Sequence, residues 1–239
     1  MNSVLFLTLA VCSSLAYGKE FVATVRQNYK ENINQLLEQQ IQKELAASYI
    51  YQAYASYFQR ADVSLPGIKK FFSDASSEER DDAQSLIDYI NQRGGHVQYD
   101  KIDLKDACET VMKFVTSDTS GLEEFRDRRM CICGFVATKT INDNCGERSD
   151  WKEGLIAFED TLAIERYVNA QLLDIHKKAD DEKDAHLTHI LEHEFLEEQV
   201  SSINKIAHAI TRLRSFEQGS GNNYKLGRVY LRPTPQISH

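Results

Sequence analysis

Five acidic or amide side chains in this 239-residue chain stand where a helical repeat calls for apolar residues. They are Glu44, Glu79, Asp82, Glu165 and Gln199. Each falls on the same helical face as the apolar residues of its own segment, because residues three, four and seven apart share one side of a helix. The pattern predicts that four helices direct a carboxylate or an amide into a common core.

A buried set of acids of this kind needs a positive partner. One unpaired carboxylate in an apolar core costs several kcal/mol, and neighbouring carboxylates also repel one another. Lys and Arg do not occur in matching number on these faces, whereas oxygen ligands suit divalent and trivalent metals. A single buried acid would more simply be protonated or hydrogen-bonded, but four converging segments favour a metal site.

Long helices would position these side chains. The three prolines stand at 66, 233 and 235, so no proline interrupts the chain between the first and the second of them. Apolar spacing predicts helices over about 33–62, 66–92, 151–179 and 185–216, with Ser64 as the N-cap of the second. Strand-like alternation is scarce, so the expected fold class is all-α.

The lengths of the connections predict a four-helix bundle with one long crossover connection. Short turns join the first helix to the second and the third to the fourth, whereas about 96–150 separates the second from the third. A long middle connection lets helices two and three run parallel, as in ferritin-like bundles, whereas helical cytokines have two crossovers.

The segment 1–18 predicts a secretory signal peptide, which leaves 19–239 as one domain. Its apolar run is too short to span a bilayer and is followed by Ala16-Tyr17-Gly18, whose small residues at alternate positions suit signal peptidase. No later stretch is apolar enough to hold the protein in a membrane. The net charge of −8 disfavours nucleic acid as a partner and favours cations.

The cysteines predict a local disulfide framework. Cys12 leaves with the signal peptide, and the other four lie in an insertion at about 104–150: Cys108, Cys131, Cys133 and Cys145. An even number of clustered cysteines is typical of secreted disulfide-bonded proteins, and three pairings are possible. A zinc site is the alternative, but no two of these cysteines have C-x-x-C spacing.

Four short blocks of the sequence resemble the ferritin family. They are 44–51, 78–80, 91–95 and 195–199, which read ELAASYIY, EER, NQRGG and FLEEQ. The similarity covers about 30–103 and 151–217, and the signal peptide and insertion are similar to those of the secreted yolk ferritins of gastropod molluscs. The resemblance implies a homo-oligomeric shell of twenty-four bundles, which stores a ferric mineral and oxidises Fe(II) with dioxygen at a di-iron site in each bundle.

The resemblance also implies roles for individual residues. Glu44 would hold one iron, Glu79 would bridge both irons and Glu165 would hold the second. Gln199 would lie beside the second iron, and Tyr51 would hydrogen-bond a carboxylate ligand. Carboxylates stabilise ferric over ferrous iron, and two adjacent irons deliver two electrons to one dioxygen.

Asp82 departs from the family pattern, which has a histidine three residues after the bridging glutamate. Aspartate binds through oxygen and has a shorter side chain, so the first iron would be displaced in a ferroxidase that still works. One alternative is a shell that stores or carries iron without effective oxidation, because Asp82 has disabled the centre. A secreted helical ligand without metal is the other alternative, and the inward acids count against it.

Two secondary sites also follow from the resemblance. The first is a cavity-facing patch that nucleates mineral, matched by Asp74, Glu78 and Asp81, although a solvated acidic face explains these residues equally well. The second is a three-fold channel through which iron enters, matched by His176, His189 and Glu192. Because His189 replaces an acid of the family and is mostly neutral at pH 7, the channel should attract cations more weakly.

Two parts of the chain match the family poorly. Residues 222–239 correspond to a short fifth helix, which Pro233 and Pro235 would truncate. The insertion has balanced charge, and its role stays open between shielding the shell, sensing the disulfide state and contacting a receptor for uptake into egg yolk.

Overall fold

The computed structural model describes residues 25–117 and 154–217. In these two ranges every regular element is helical, which confirms the all-α class. In chain order the helices are α1 (Glu31–Gln59), α2 (Pro66–Gln92), α3 (Leu104–Ser117), α4 (Leu155–Asp181) and α5 (Ala185–Ile190), followed by a π-helical stretch (Leu191–Leu196) and α6 (Glu197–Glu217).

The long helices pack as a four-helix bundle. Helix α1 packs along α2, α6 packs along α4, and contacts between α1 and α4 join the two pairs. The fully buried side chains between them are mostly large and apolar, and they include Tyr51, Tyr54, Phe58, Phe72 and Phe158. On α2 Phe72 is fully buried, whereas its neighbour Phe71 is only partly buried.

The turn between α1 and α2 corrects one prediction. The N-cap of α2 is Leu65 and makes no side-chain hydrogen bond, so Ser64 is not the cap. Ser64 instead adopts a φ of 50°, and the N–H of Leu65 donates to the carbonyl of Phe58 at 3.0 Å. The fixed φ of Pro66, at the first helical position, starts the helix.

Two successive glycines end α2. Gly94 has a φ of 74°, which a residue with a side chain rarely adopts. A Cβ atom on Gly95 would collide with Asn34 Oδ1 and would lie 2.8 Å from Ile90 Cγ2. The chain can therefore leave α2 in close contact with α1 only because both positions lack a side chain.

The long connection between α2 and α4 contains a further helix. Helix α3 packs against α1 and α4, and its Cys108 is fully buried. Helix α4 begins at Leu155, four residues later than predicted. Several predictions lie outside the described residues: those on segment 1–18, on Cys131, Cys133 and Cys145, and on residues 222–239.

The last bundle helix is not continuous α-helix, which the sequence did not predict. Asp184 caps α5 by accepting a hydrogen bond from the N–H of Leu187 at 3.2 Å. The π-helical stretch Leu191–Leu196 then changes the side-chain register before α6, because its hydrogen bonds span five residues instead of four. None of the helices in the described ranges is long and apolar enough to cross a membrane.

Candidate metal centre

Four polar side chains meet inside the bundle, one from each long helical segment. Glu44 lies on α1, Glu79 on α2, Glu165 on α4 and Gln199 on α6. Their exposed fractions are 1%, 6%, 3% and 4%, so all four are almost completely removed from water. The structure thus brings together four of the five side chains that the helical pattern pointed inward.

Both oxygens of Glu165 accept hydrogen bonds from neighbouring helices. Tyr51 Oη on α1 donates to Oε1 at 2.5 Å, and Gln199 Nε2 on α6 donates to Oε2 at 3.0 Å. Two donors on two helices fix the position of this carboxylate, since each bond restricts its rotation. Tyr51 is fully buried and has the contact that the family resemblance implied.

Glu44 and Glu79 are also tied into this cluster. Gln40 Nε2, one helical turn before Glu44, donates to Glu44 Oε1 at 2.7 Å. Glu79 shares a hydrogen bond with Glu44 and another with Glu165. The contact with Glu44 raises the pKa of Glu79 and so favours its protonated form, which can donate a hydrogen bond to a neighbouring carboxylate.

Burial raises the pKa of each of these carboxyl groups. The pKa of Glu44 rises to about 7, although hydrogen bonds from Glu79 and Gln40 oppose the change. Burial raises the pKa of Glu79 well above its usual value, and repulsion from Glu165 and Glu44 raises it further. Burial also raises the pKa of Glu165, against the hydrogen bond from Tyr51. The raised pKa values favour protonated carboxyl groups, and a bound cation would displace such protons.

Three buried oxygen atoms of the cluster have no hydrogen-bond partner within the described residues. They are Glu44 Oε2, Glu79 Oε2 and Gln199 Oε1. Each buried acceptor left in this way costs about 1–3 kcal/mol. Because all three are carboxylate or amide oxygens with free lone pairs, they suit a hard cation such as iron.

The ligands are not already arranged around a common point. Across 25–117 and 154–217, no group of three or more His, Cys, Asp or Glu side chains has the geometry of a metal site. The carboxyl groups hydrogen-bond to one another instead, with Glu79 in the centre. Cation binding would therefore require loss of the shared protons and rotation of these side chains.

Asp82, the fifth inward acid of the prediction, lies in the wall of a small cavity rather than in this hydrogen-bonded cluster. The cavity has a volume of about 30 Å³, and its polar lining consists of Glu78, Glu79, Asp82, Thr161, Glu165, Glu198, Gln199, Ser202 and Lys205. Asp82 is half-buried. Burial and the nearby Glu44 and Glu198 raise the pKa of Asp82 to about 8.

Sequence reasoning missed two residues at this centre. Gln40 falls on the same helical face as Glu44, four residues earlier, and this spacing was the signal that could have found it. Glu198 lines the cavity, and its position next to Gln199 in the sequence was a weaker signal for it. Its pKa is raised by burial and by Glu78.

Most of the acidic patch predicted on α2 lies outside this cavity. Asp74 forms an ion pair of 2.6 Å with Lys70, and both side chains are more than half exposed. Glu78 and Asp81 are exposed, and of the three residues Glu78 alone lines the cavity.

Two of the three residues predicted for the channel meet where α4 approaches the π-helical stretch. His176 Nε2 lies 2.8 Å from Glu192 Oε1. The ring of His189 packs edge-on against that of His193, with centroids 4.4 Å apart. His193 was not predicted, and its spacing of four residues from His189 was the available signal.

Comparison with known proteins places these features in a family. A family model described as a ferritin-like domain matches 34–128 and 134–216. The chain is 36% identical to a soma ferritin of Lymnaea stagnalis over 200 residues, 84% of this chain and 91% of that protein. It is 34% identical to a middle-subunit ferritin of Salmo salar, over 81% of this chain and 86% of that one. It is 35% identical to a chloroplastic ferritin-3 of Vigna unguiculata, over 84% of this chain and 64% of that protein.

Proposed function

Since the chain belongs to the ferritin family, we propose that it stores iron and oxidises Fe(II) with dioxygen at the centre formed by Glu44, Glu79 and Glu165. The observation that carries the proposal is the set of buried oxygens without hydrogen-bond partners among the described residues, on Glu44, Glu79 and Gln199. Three helices thereby contribute acceptor atoms to one buried cluster in the core. A cation would satisfy these acceptors once their side chains rotate toward it.

Iron is the substrate of this reaction. Glu44 and Glu165 would each hold one Fe(II) ion, and Glu79, which already hydrogen-bonds to both, would join them. The protons shared by these carboxyl groups leave when Fe(II) binds, because ligation requires the ionised form. Two Fe(II) ions, one dioxygen and two protons then give two Fe(III) ions and one hydrogen peroxide. Tyr51 and Gln199 keep Glu165 oriented throughout.

The test is aerobic oxidation of Fe(II), followed by ferric absorbance at about two irons per chain. Glu79→Gln keeps the size of the side chain but cannot ionise to bind iron, and the exposed Glu194→Gln is the matched control. We expect oxidation well above the buffer rate in the wild type and the control, and a rate close to the buffer rate in Glu79→Gln. Equal rates in all three proteins would contradict the proposal.

Storage without effective oxidation is the second candidate function. It is favoured by Asp82, which lies in the cavity wall beside Glu79 and Glu165 and offers a short oxygen ligand where the family has an imidazole. Under this alternative the wild type oxidises iron no faster than buffer and Asp82→His restores the reaction. Fast oxidation by the wild type, lost in Glu79→Gln, would instead establish a ferroxidase that tolerates aspartate.

The quaternary and cellular parts of the proposal follow the family resemblance. The chain would assemble into a shell of twenty-four bundles around a ferric mineral, be secreted after cleavage of 1–18, and be stored in yolk through an uptake receptor. The cysteines of the insertion would pair as disulfides. Analytical ultracentrifugation tests the shell, and N-terminal sequencing with non-reducing peptide mapping of the secreted protein tests cleavage and pairing.

Iron would reach and leave the centre through the two secondary sites. The proposed channel contains His176, His189 and Glu192. The proposed nucleation patch contains Asp74, Glu78 and Asp81. Slower mineral growth at unchanged initial oxidation is the expected effect of replacing the three acids of the patch by amides.

A further inference from the structure

A second buried tyrosine forms a hydrogen bond that the proposed iron site does not use. Tyr54 Oη on α1 donates to Asp160 Oδ2 on α4 at 3.0 Å. Both side chains have an exposed fraction of 0%, so the phenol and the carboxylate meet in the core. Neither residue was singled out by the helical pattern or by the family resemblance.

Aromatic rings connect this pair to the candidate metal centre. Tyr54 follows Tyr51 by three residues and thus lies on the same side of α1. The rings of both tyrosines pack against Phe72, with centroid distances of 5.0 Å for Tyr54 and 6.2 Å for Tyr51. Tyr51 in turn hydrogen-bonds to Glu165 at 2.5 Å. Phe72 thus contacts both tyrosine rings, and the Tyr51 hydrogen bond continues this chain of contacts to Glu165.

The acceptor of the Tyr54 hydrogen bond is a carboxylate, and this chemical type indicates what the pair can do. A buried phenol is satisfied by a neutral carbonyl, which is far less costly to bury than an acid. A carboxylate adds one property, since it can accept the phenolic proton. That property matters when tyrosine loses an electron, because the oxidised phenol is strongly acidic and the proton needs a base within hydrogen-bond reach.

We infer that Tyr54 and Asp160 form a proton-coupled electron donor for a half-filled iron centre, an inference that rests on the proposed ferroxidase function. In this step Tyr54 gives one electron and breaks its O–H bond, and the proton passes to Asp160 Oδ2. One Fe(II) gives the second electron, and dioxygen takes up both electrons with two protons from solvent. The products are Fe(III), a Tyr54 radical, protonated Asp160 and hydrogen peroxide.

The donor suits a centre that contains Asp82. If the first iron is held weakly there, many centres hold a single Fe(II) when dioxygen arrives. One Fe(II) alone reduces dioxygen only to superoxide, whereas Fe(II) and Tyr54 together complete the two-electron reduction. A later Fe(II) then returns one electron to the Tyr54 radical, and Asp160 returns the proton.

The test is freeze-quench electron paramagnetic resonance after mixing the protein aerobically with about one Fe(II) per chain. Protein with ring-deuterated tyrosine identifies the signal as a tyrosyl radical, because deuteration narrows it. We expect a radical in the wild type and in the control Tyr49→Phe, whose side chain is exposed on the same helix. Tyr54→Phe should lose the signal and release more superoxide.

Asp160→Asn separates proton acceptance from packing. Its amide oxygen still accepts the Tyr54 hydrogen bond but cannot take the proton, so the radical should be lost while the helical circular dichroism is retained. A radical that survives in Tyr54→Phe or in Asp160→Asn overturns the inference. So does a wild type that oxidises iron at two per chain yet forms no radical at one per chain, and this result leaves the ferroxidase proposal intact. A wild type that oxidises no iron at any ratio overturns both.

Discussion

Replacing Glu44 with glutamine is expected to stabilise the iron-free protein at pH 8 and to leave its stability nearly unchanged at pH 5. Glutamine has the same shape and can still accept the hydrogen bond from Gln40 at Oε1. Its amide N–H₂ replaces Glu44 Oε2, which has no hydrogen-bond partner within the described residues. The substitution therefore removes a buried charge without removing packing.

The magnitude follows from the pKa of Glu44. A rise from 4.5 to about 7 corresponds to roughly 3 kcal/mol against the ionised form in the folded protein. Because the folded state binds the proton more tightly than the unfolded state, stability is highest below pH 4.5 and falls as the pH rises towards 7. Glutamine does not titrate, so this loss disappears, and the gain at pH 8 should be roughly 3 kcal/mol.

The assay is guanidinium unfolding followed by far-ultraviolet circular dichroism, with chelated, iron-free protein in the same assembly state. Wild type, Glu44→Gln and the exposed control Glu194→Gln are compared at pH 5 and pH 8. The stability difference of Glu44→Gln should grow with pH, and that of the control should not. If Glu44→Gln lost the same amount of stability at both pH values, the raised pKa of the buried Glu44 carboxyl would be contradicted.

Three further substitutions have defined outcomes. Tyr51→Phe removes the donor to Glu165, and the rate of iron oxidation should fall roughly tenfold to a hundredfold in stopped-flow absorbance; an unchanged rate would show that the bond does not position the ligand. Arg214→Ala removes the guanidinium that pairs with buried Glu159 at 2.8 Å, and unfolding should become easier by about 3–5 kcal/mol. Gly95→Ala should cost about 1–3 kcal/mol in the same unfolding assay, because its Cβ collides with α1. A wild-type midpoint in either variant would contradict the packing described for it.

The fold was largely predictable because the strongest local signals agree with the tertiary packing. Pro66 and Gly94 bound α2 in sequence, and both predicted ends of that helix agree with the structure. Ser64 was predicted as the cap from residue preference alone, and the turn instead places it at a positive φ.

Other features have no dependable signal in a single sequence. The π-helical stretch Leu191–Leu196 has the composition of ordinary helix, because the hydrogen-bond shift depends on packing against other helices. Helix α3 was not predicted, although its apolar residues recur at helical spacing.

The candidate site also has a part that the sequence predicted and a part that only the structure shows. Glu44, Glu79, Glu165 and Gln199 were found because each is an acid or amide on an otherwise apolar face, and all four are buried. The hydrogen bond between Tyr54 and Asp160 joins residues 106 positions apart, and only the tertiary structure reveals that they meet.

The central claim is that the buried carboxylates bind iron, and an anaerobic Fe(II) titration followed by near-infrared circular dichroism tests it most directly. We expect saturation at about two Fe(II) per chain in the wild type and in Glu194→Gln. Glu79→Gln should lose this binding. Saturation at the same stoichiometry and affinity in Glu79→Gln would contradict the central claim.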